Sequence, residues 1–339
     1  MLKDLYDILD ELDSKPDDWG KPQFTQGRYY DPVTLSKENF NPFEFRSGNR
    51  AVASVDGGNN KIYESPTDSV HLLKVYFNLF KGNERKLNVD PFTSYLICRK
   101  DDDRVKVELK PLNETIPIEK SDYSINKDEL EDGSHSTAAQ TVRKYLEWKT
   151  LKYVSEEYLE EGDILIRDGV LQTSVEDERR YAEETYESVV DNGVNLVGIA
   201  KTSSLMTDKG YPLIASVQEL SEDFRDELWY YHPIAENEHP DHKGDMFVVK
   251  YHPSSEYAFR TEFYREFESP IEDVLGHIAE HAKDPIFLGY PYCLVDADKR
   301  ARVTDEEVKY LKNMGSNKMS SSVRYKVNCS NAHDRLSNL

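Results

Sequence analysis

Two aspartates stand out because each closes an apolar run and is followed by glycine. They are Asp56 in Ala51-Val52-Ala53-Ser54-Val55-Asp56-Gly57-Gly58 and Asp168 in Asp163-Ile164-Leu165-Ile166-Arg167-Asp168-Gly169. Each run reads as a short buried strand that delivers one carboxylate at its end, with glycines that let the backbone turn and a ligand approach. One Asp-Gly pair is ordinary turn chemistry; two copies, each ending an apolar strand, read as two halves of one acidic site. Such a site suits Mg2+ or Mn2+, which prefer carboxylate oxygens and water, and two such ions can clamp the attacking and leaving oxygens of a phosphodiester. That chemistry needs three or four carboxylates. Glu147 is a further candidate, on a helix face shared with Leu151 and Val154. Its other use is an ion pair with Arg143 or Lys144.

A competing pattern is His277-Ile278-Ala279-Glu280-His281, the inverted zinc-peptidase arrangement, in which His277 and His281 would share Zn2+ and Glu280 would act as base. Val274, Leu275, Ile278 and Ala282 form the apolar stripe of that helix, so the histidines flank it, half exposed, and a third ligand is needed downstream. His239-Pro240-Asp241-His242 reads as a hairpin tip. There is no G-x-x-x-x-G-K-[ST] loop, so the chain is not expected to hydrolyse nucleotide itself.

These residues need a scaffold. Leu2, Leu5, Ile8, Leu9 and Leu12 predict an acidic amphipathic helix over 2–13, followed by an irregular arm to about Asn49. The main domain begins with the Asp56 strand, and Lys61-Ile62-Tyr63 continues a hairpin across the Gly-Gly turn. Further strands are expected over 70–79 and 94–109. An exposed excursion covers 117–136, and a long helix opened by a Thr137/Gln140 capping box runs to about Glu160. Gly162 ends that helix and the Asp168 strand follows. A helix over 175–192 stops at Gly193, a strand over 194–200 leads to Lys201, 246–251 and 257–263 form an antiparallel pair, and 270–282 is helical. Strands interleaved with long helices predict an α/β protein with a mixed sheet.

Composition narrows the classes. The 339 residues carry 38% hydrophobic side chains, with 22 Tyr and 13 Phe, enough for a real core. No apolar run approaches the roughly 20 residues that span a bilayer. The acidic N-terminus is unlike a signal peptide, and Cys98, Cys293 and Cys329 have neither disulfide-framework nor zinc spacing; a cytoplasmic protein is expected. The net charge of −21, from 43 basic and 64 acidic residues, argues against broad polyanion binding. From Lys299 onward, however, nine basic and four acidic residues give a local excess of five positive charges.

Four segments together resemble the NurA nuclease family: Ser54-Val55-Asp56-Gly57-Gly58; Ile164-Leu165-Ile166-Arg167-Asp168-Gly169; Gly198-Ile199-Ala200-Lys201-Thr202; and Gly289-Tyr290-Pro291-Tyr292-Cys293-Leu294-Val295-Asp296-Ala297-Asp298. They stand in family order between about residues 50 and 305. The resemblance implies an RNase H-like mixed sheet flanked by helices, with extra hairpins and an N-terminal helix. It also implies cleavage of DNA with one or two Mn2+ or Mg2+ ions, a homodimer, and a HerA-like hexameric ATPase partner in DNA end processing, with the N-terminal helix a candidate contact. Three parts follow: an arm over 1–47, the nuclease domain over 48–313 and a polar tail over 314–339. By the same resemblance Asp56, Asp168 and Glu147 are metal carboxylates, Glu156 or Glu157 being the alternatives to Glu147. Lys201 is the strand-end lysine and Tyr290 the motif tyrosine. Asp298 stands where many members place a histidine; an aspartate can ligate a hard metal but cannot act as a neutral imidazole. The alternatives are the zinc metallopeptidase using His277, Glu280 and His281, and a non-catalytic adaptor subunit of a DNA translocase complex.

Overall fold

The computed structural model describes residues 16, 18–118, 120–266, 268–316, 318–322 and 325; the helix expected over 2–13 lies outside them. Runs rich in β-branched and aromatic residues form one twelve-stranded mixed sheet. In chain order its main strands are β1 (Phe40–Phe43), β2 (Ala51–Glu64), β3 (Asp68–Lys81), β4 (Phe92–Asp101), β5 (Arg104–Pro111), β6 (Ser121–Asn126), β7 (Ile164–Asp168), β8 (Asn195–Ala200), β9 (Leu228–Tyr231), β10 (Gly244–Lys250) and β11 (Phe259–Tyr264), with the two-residue strand Glu84–Arg85 on β3. Their spatial order is β1-β9-β10-β11-β8-β7-β2-β3-β4-β5-β6. At the centre β2, β7 and β8 run parallel, with Ile164 opposite Val52 and also opposite Asn195, while β3 and β4 continue antiparallel from β2. An antiparallel meander followed by two parallel strands is the RNase H-like arrangement, flanked here by helices.

Parallel strands need crossover helices, and these supply one covering layer. α1 (His135–Glu157) leads into β7, and α2 (Glu176–Asp191) joins β7 to β8. Val142, Leu146, Trp148 and Leu151 of α1 pack on Ala53, Val55, Leu73, Val75 and Leu165. The opposite face is built from Val52, Ile164, Ile166, Val197 and Ile199 under α4 (Ile271–Glu280) and α5 (Tyr292–Ala301). A short α3 (Leu213–Leu220) and a terminal α6 (Asp305–Ser316) complete the helices among the described residues. None of them is long and apolar enough to cross a membrane.

Several local expectations change. No turn occurs at Gly57-Gly58: β2 runs through both to Glu64, paired with β3 all along, and the chain reverses at Ser65–Thr67, where Ser65 N donates to Asp68 O at 2.7 Å. Those glycines serve close packing instead. A Cβ on Gly57 would lie 2.6 Å from Glu147 Oε1, and one on Gly58 would overlap the Ala301 carbonyl oxygen. The 94–109 strand is two strands, broken at Asp102, whose φ of 46° is left-handed. The excursion over 117–136 contains edge strand β6, with Tyr123 and Ile125 buried. The α1 N-cap is Ser134, accepting from Thr137 N at 3.2 Å, so the Thr137/Gln140 box does not form. The arm also has regular structure, since its Phe40–Phe43 segment pairs with β9.

Candidate active site

Side chains alternate across a strand, and that alternation places the site. Val52 faces α5, so Ser54 and Asp56 do too; Ile164 and Ile166 face the same way, which puts Asp168 with them; Val197 and Ile199 carry Lys201 to the same side. All three lie toward the carboxyl ends of the parallel strands, the edge where open α/β sheets present ligand sites. α5 is fastened to that face by polar bonds. Ser54 Oγ and Asn78 Nδ2 donate to Cys293 O at 2.9 and 2.7 Å, and Asn78 Nδ2 also reaches Asp296 Oδ2 at 2.9 Å. So anchored, α5 presents Asp298 to the strand ends. One oxygen each of Asp56, Asp168 and Asp298 lie within 4.8 Å of one another, the one metal-competent group of three among the described residues. Lys201 Nζ bridges Asp168 Oδ2 at 2.6 Å and Asp298 Oδ1 at 2.9 Å, and Arg302 Nη2 donates to Asp298 Oδ2 at 2.6 Å.

The electrostatics of the three acids differ. Burial, then the charges of Asp168 and Glu147, push the Asp56 carboxyl up to about 8, against the pull of Lys201 and the Gly57 N–H, which donates to Asp56 Oδ1 at 2.7 Å. Asp298 is held below its ordinary range, where bonds to Lys201 and Arg302 overcome partial burial. Lys201 also feels burial, yet Asp168 and Asp298 hold its ammonium above the usual lysine value. Tyr290 is buried beside them, its pKa raised by burial and then by Asp168; its hydroxyl has no partner among the described residues, and its ring centre lies 6.0 Å from Lys201 Nζ. An all-oxygen set of three carboxylates, one of them short of positive charge, fits a hard divalent cation.

The family model for the NurA domain matches residues 50–303, three-quarters of the chain and the whole of this site. The chain belongs to the NurA family, a family of nucleases. No curated protein matches it. Among solved structures it is similar to the NurA nuclease from Sulfolobus solfataricus, at 13% identity over 93% of each chain with a TM-score of 0.48. It is also similar to human ENDOV, at 13% identity over 81% of this chain and 94% of that one with a TM-score of 0.37. Ciona intestinalis endonuclease V, in complex with inosine-containing DNA, is 12% identical over 79% of this chain and 92% of that one, at a TM-score of 0.39.

Within this NurA domain the sequence candidates separate. Asp56, Asp168, Asp298 and Lys201 come together, with Tyr290 behind them. Glu147 does not join the three: it lies on the α1 side of the sheet, against Gly57, with Arg143 Nη1 at 2.5 Å from Oε1 and Arg167 Nη2 at 3.8 Å from Oε2. Burial pushes its carboxyl up against the pull of both arginines, and its charge is still felt at Asp56. Glu156 and Glu157 are exposed in the last turn of α1. The residues missed from sequence are Arg302 and Arg143. Arg143, expected from sequence only as an ion-pair partner of Glu147, also donates to Gly57 O at 2.8 Å. Arg302 sits at i+4 from Asp298, a spacing that could have signalled the pair once α5 was recognised as a helix.

The histidine pattern takes a structural role. His277 Nδ1 lies 2.8 Å from Asp273 O, Glu280 pairs with Lys283, and His281 is packed edge-on against Phe80 with its pKa lowered by burial to about 4. Neither histidine is half exposed as the helical pattern suggested, because the 46–50 segment and β3 close over them. His242 is buried too, facing Glu262 rather than solvent.

Proposed function

We propose that this NurA-family chain is a Mn2+- or Mg2+-dependent deoxyribonuclease that hydrolyses phosphodiester bonds in DNA end processing. The observation that carries the reading is the convergence of Asp56, Asp168 and Asp298 on one side of the parallel strand ends. Those three would hold one or two ions, and Glu147, paired with Arg143 on the α1 side, would act on them through its charge at Asp56 rather than as a ligand. A divalent ion bound there supplies Lewis-acid activation of water and of the phosphoryl oxygens.

The remaining roles belong to the chain's own groups. Lys201, which bridges Asp168 and Asp298, would offer its ammonium to the phosphate and offset the charge that develops in the transition state. The Tyr290 hydroxyl, buried and without a partner among the described residues, would donate to a phosphate oxygen of a strand drawn into the site and fix the scissile group. Arg302 would keep Asp298 ionised and aimed at the site, so that this position contributes negative charge rather than a proton. Arg143 and Arg167 hold Glu147 in place and limit how negative the edge becomes.

By family membership the chain would work as a homodimer with a HerA-like hexameric ATPase, which would move the DNA, in the cytoplasm. Linear DNA incubated with the protein in Mn2+, Mg2+ or EDTA, with and without such an ATPase, tests the reading. The expected result is metal-dependent cleavage that disappears in Asp56→Asn/Asp168→Asn. Cleavage persisting in that variant would remove these residues from the site, and no cleavage with any metal and partner would favour the adaptor.

A further inference from the structure

Two aromatic rings near the acidic edge face solvent, although the core has room for most of the chain's other aromatics. Tyr257 is 55% exposed and Phe287 42%, and Ile286 beside them is 74% exposed. Tyr257 comes from the loop that enters β11, and Phe287 from the loop between α4 and α5. Their rings stack with centroids 5.7 Å apart and planes 21° from parallel. Phe287 then meets Tyr290 edge-on at 5.6 Å, and the Tyr290 ring lies 6.0 Å from Lys201 Nζ, itself 2.6 Å from Asp168. A continuous path of ring contacts therefore runs from solvent to the acidic cluster.

The backbone that carries the pair is tied down by hydrogen bonds. Ser255 Oγ accepts from Tyr257 N at 3.0 Å and donates to Tyr257 O at 3.1 Å. Gly289, at φ +90°, lets the second loop press against the first, since a Cβ there would overlap Ser255 Oγ. Gly289 N donates to Ala282 O at 2.8 Å and Tyr290 N to Phe287 O at 3.2 Å. Rings presented in a fixed pose bind at little cost in ordering.

We propose that Tyr257 and Phe287 form a stacking platform for unpaired bases next to the scissile phosphate. The inference rests on the nuclease reading of the Asp56 site and names what that site takes: a DNA strand whose bases are free to stack. Bases stack on aromatic rings without regard to sequence. The continuity of the rings with Tyr290 and Lys201 favours the substrate strand over a protein partner as the occupant. Among the described residues no cation lies over either ring, so the platform adds stacking and leaves the electrostatic part of binding to other residues.

The test is equilibrium binding of a labelled oligodeoxythymidine to the full chain in EDTA, read by fluorescence anisotropy, beside cleavage in Mn2+. Tyr257→Ala and Phe287→Ala are each expected to weaken single-strand binding roughly five- to hundredfold, while the dependence on salt stays parallel to wild type. Tyr257→Phe and Phe287→Trp should bind as wild type does, which a loss of folding would not permit. An oligonucleotide with abasic sites beside the cut should bind wild type as weakly as the alanine variants bind the intact strand. Single-strand affinity within twofold of wild type in the double alanine variant overturns the proposal, as does a changed oligomeric state with unchanged affinity, which would make the patch a protein interface. Because binding is read without metal, a wild type that binds through these rings but shows no cleavage with any metal would retain the platform and refute the nuclease. A wild type that cuts while the alanine variants bind normally does the reverse.

Discussion

The sheet carries two buried carboxylates in contrasting states. Glu262 on β11, fully buried opposite Gly198, has a partner for each oxygen: Arg260 Nε at 2.7 Å on one side, and Leu171 N at 2.6 Å with His242 Nε2 at 3.1 Å on the other. Burial alone would raise its pKa, but Arg260, His242 and the Leu171 N–H bring it down to about 2. Asp56, three strands away, faces two more aspartates with one shared ammonium between them and is pushed up to about 8. A satisfied carboxylate builds the fold; one short of positive charge is left ready to take a cation.

The largest effect should come from removing that readiness. Asp56→Asn is expected to lower Mn2+-dependent cleavage roughly a thousandfold or more. Because it also removes a buried carboxyl that folding must hold protonated, it should raise the melting temperature of the metal-free protein near neutral pH by about 2–5 °C. A loss of both activity and metal-free stability would erase the contrast with Glu262. Glu262→Gln is the mirror experiment: it leaves Arg260 uncompensated and should cost about 3–5 kcal/mol by urea unfolding. A cost below 1 kcal/mol would make Glu262 no more satisfied than Asp56. Lys201→Met comes next, with kcat lower by roughly a hundredfold and single-strand affinity much less affected.

Titration sharpens the same comparison. The folded pKa of Glu262 lies below its ordinary 4.5, so its stabilisation is present above about pH 4.5 and is lost as pH falls toward 2. The folded pKa of Asp56 lies above its ordinary 3.8, so in EDTA its contribution to stability is best at low pH and declines as pH rises from about 4 to about 8. Melting temperatures of wild type and Asp56→Asn in EDTA should therefore diverge across pH 5–8, the wild type falling faster. Parallel curves would deny the shift. The smallest effect is assigned to His277→Ala: cleavage within about twofold of wild type and no new response to zinc chelation.

Much of this site was legible in sequence because strand periodicity carries it. Asp56, Asp168 and Lys201 each follow apolar runs of fixed parity, and the structure puts all three on one face. What sequence left ambiguous depended on which face a helix covers. Glu147 shares a helix face with Leu151 and Val154, but that face meets the sheet on the side away from the aspartates. Gly57-Gly58 looks like turn chemistry, whereas of the glycines that follow Asp56 and Asp168 it is Gly169, at φ 122°, that has a left-handed backbone. The residues around Asp298 were not read as an element, since α5 owes its place to long-range bonds from Ser54 and Asn78 to Cys293 O. Strand β6 was hidden by the polar residues that an edge strand turns outward.

Calorimetric titration of the metal-free protein with Mn2+ near pH 7, in buffers of different ionisation enthalpy, tests the central claim most directly. The account predicts that Mn2+ binding releases up to about one proton, and that both the release and the tight binding disappear in Asp56→Asn. Equal Mn2+ affinity in wild type and Asp56→Asn, with no proton released by either, would contradict it.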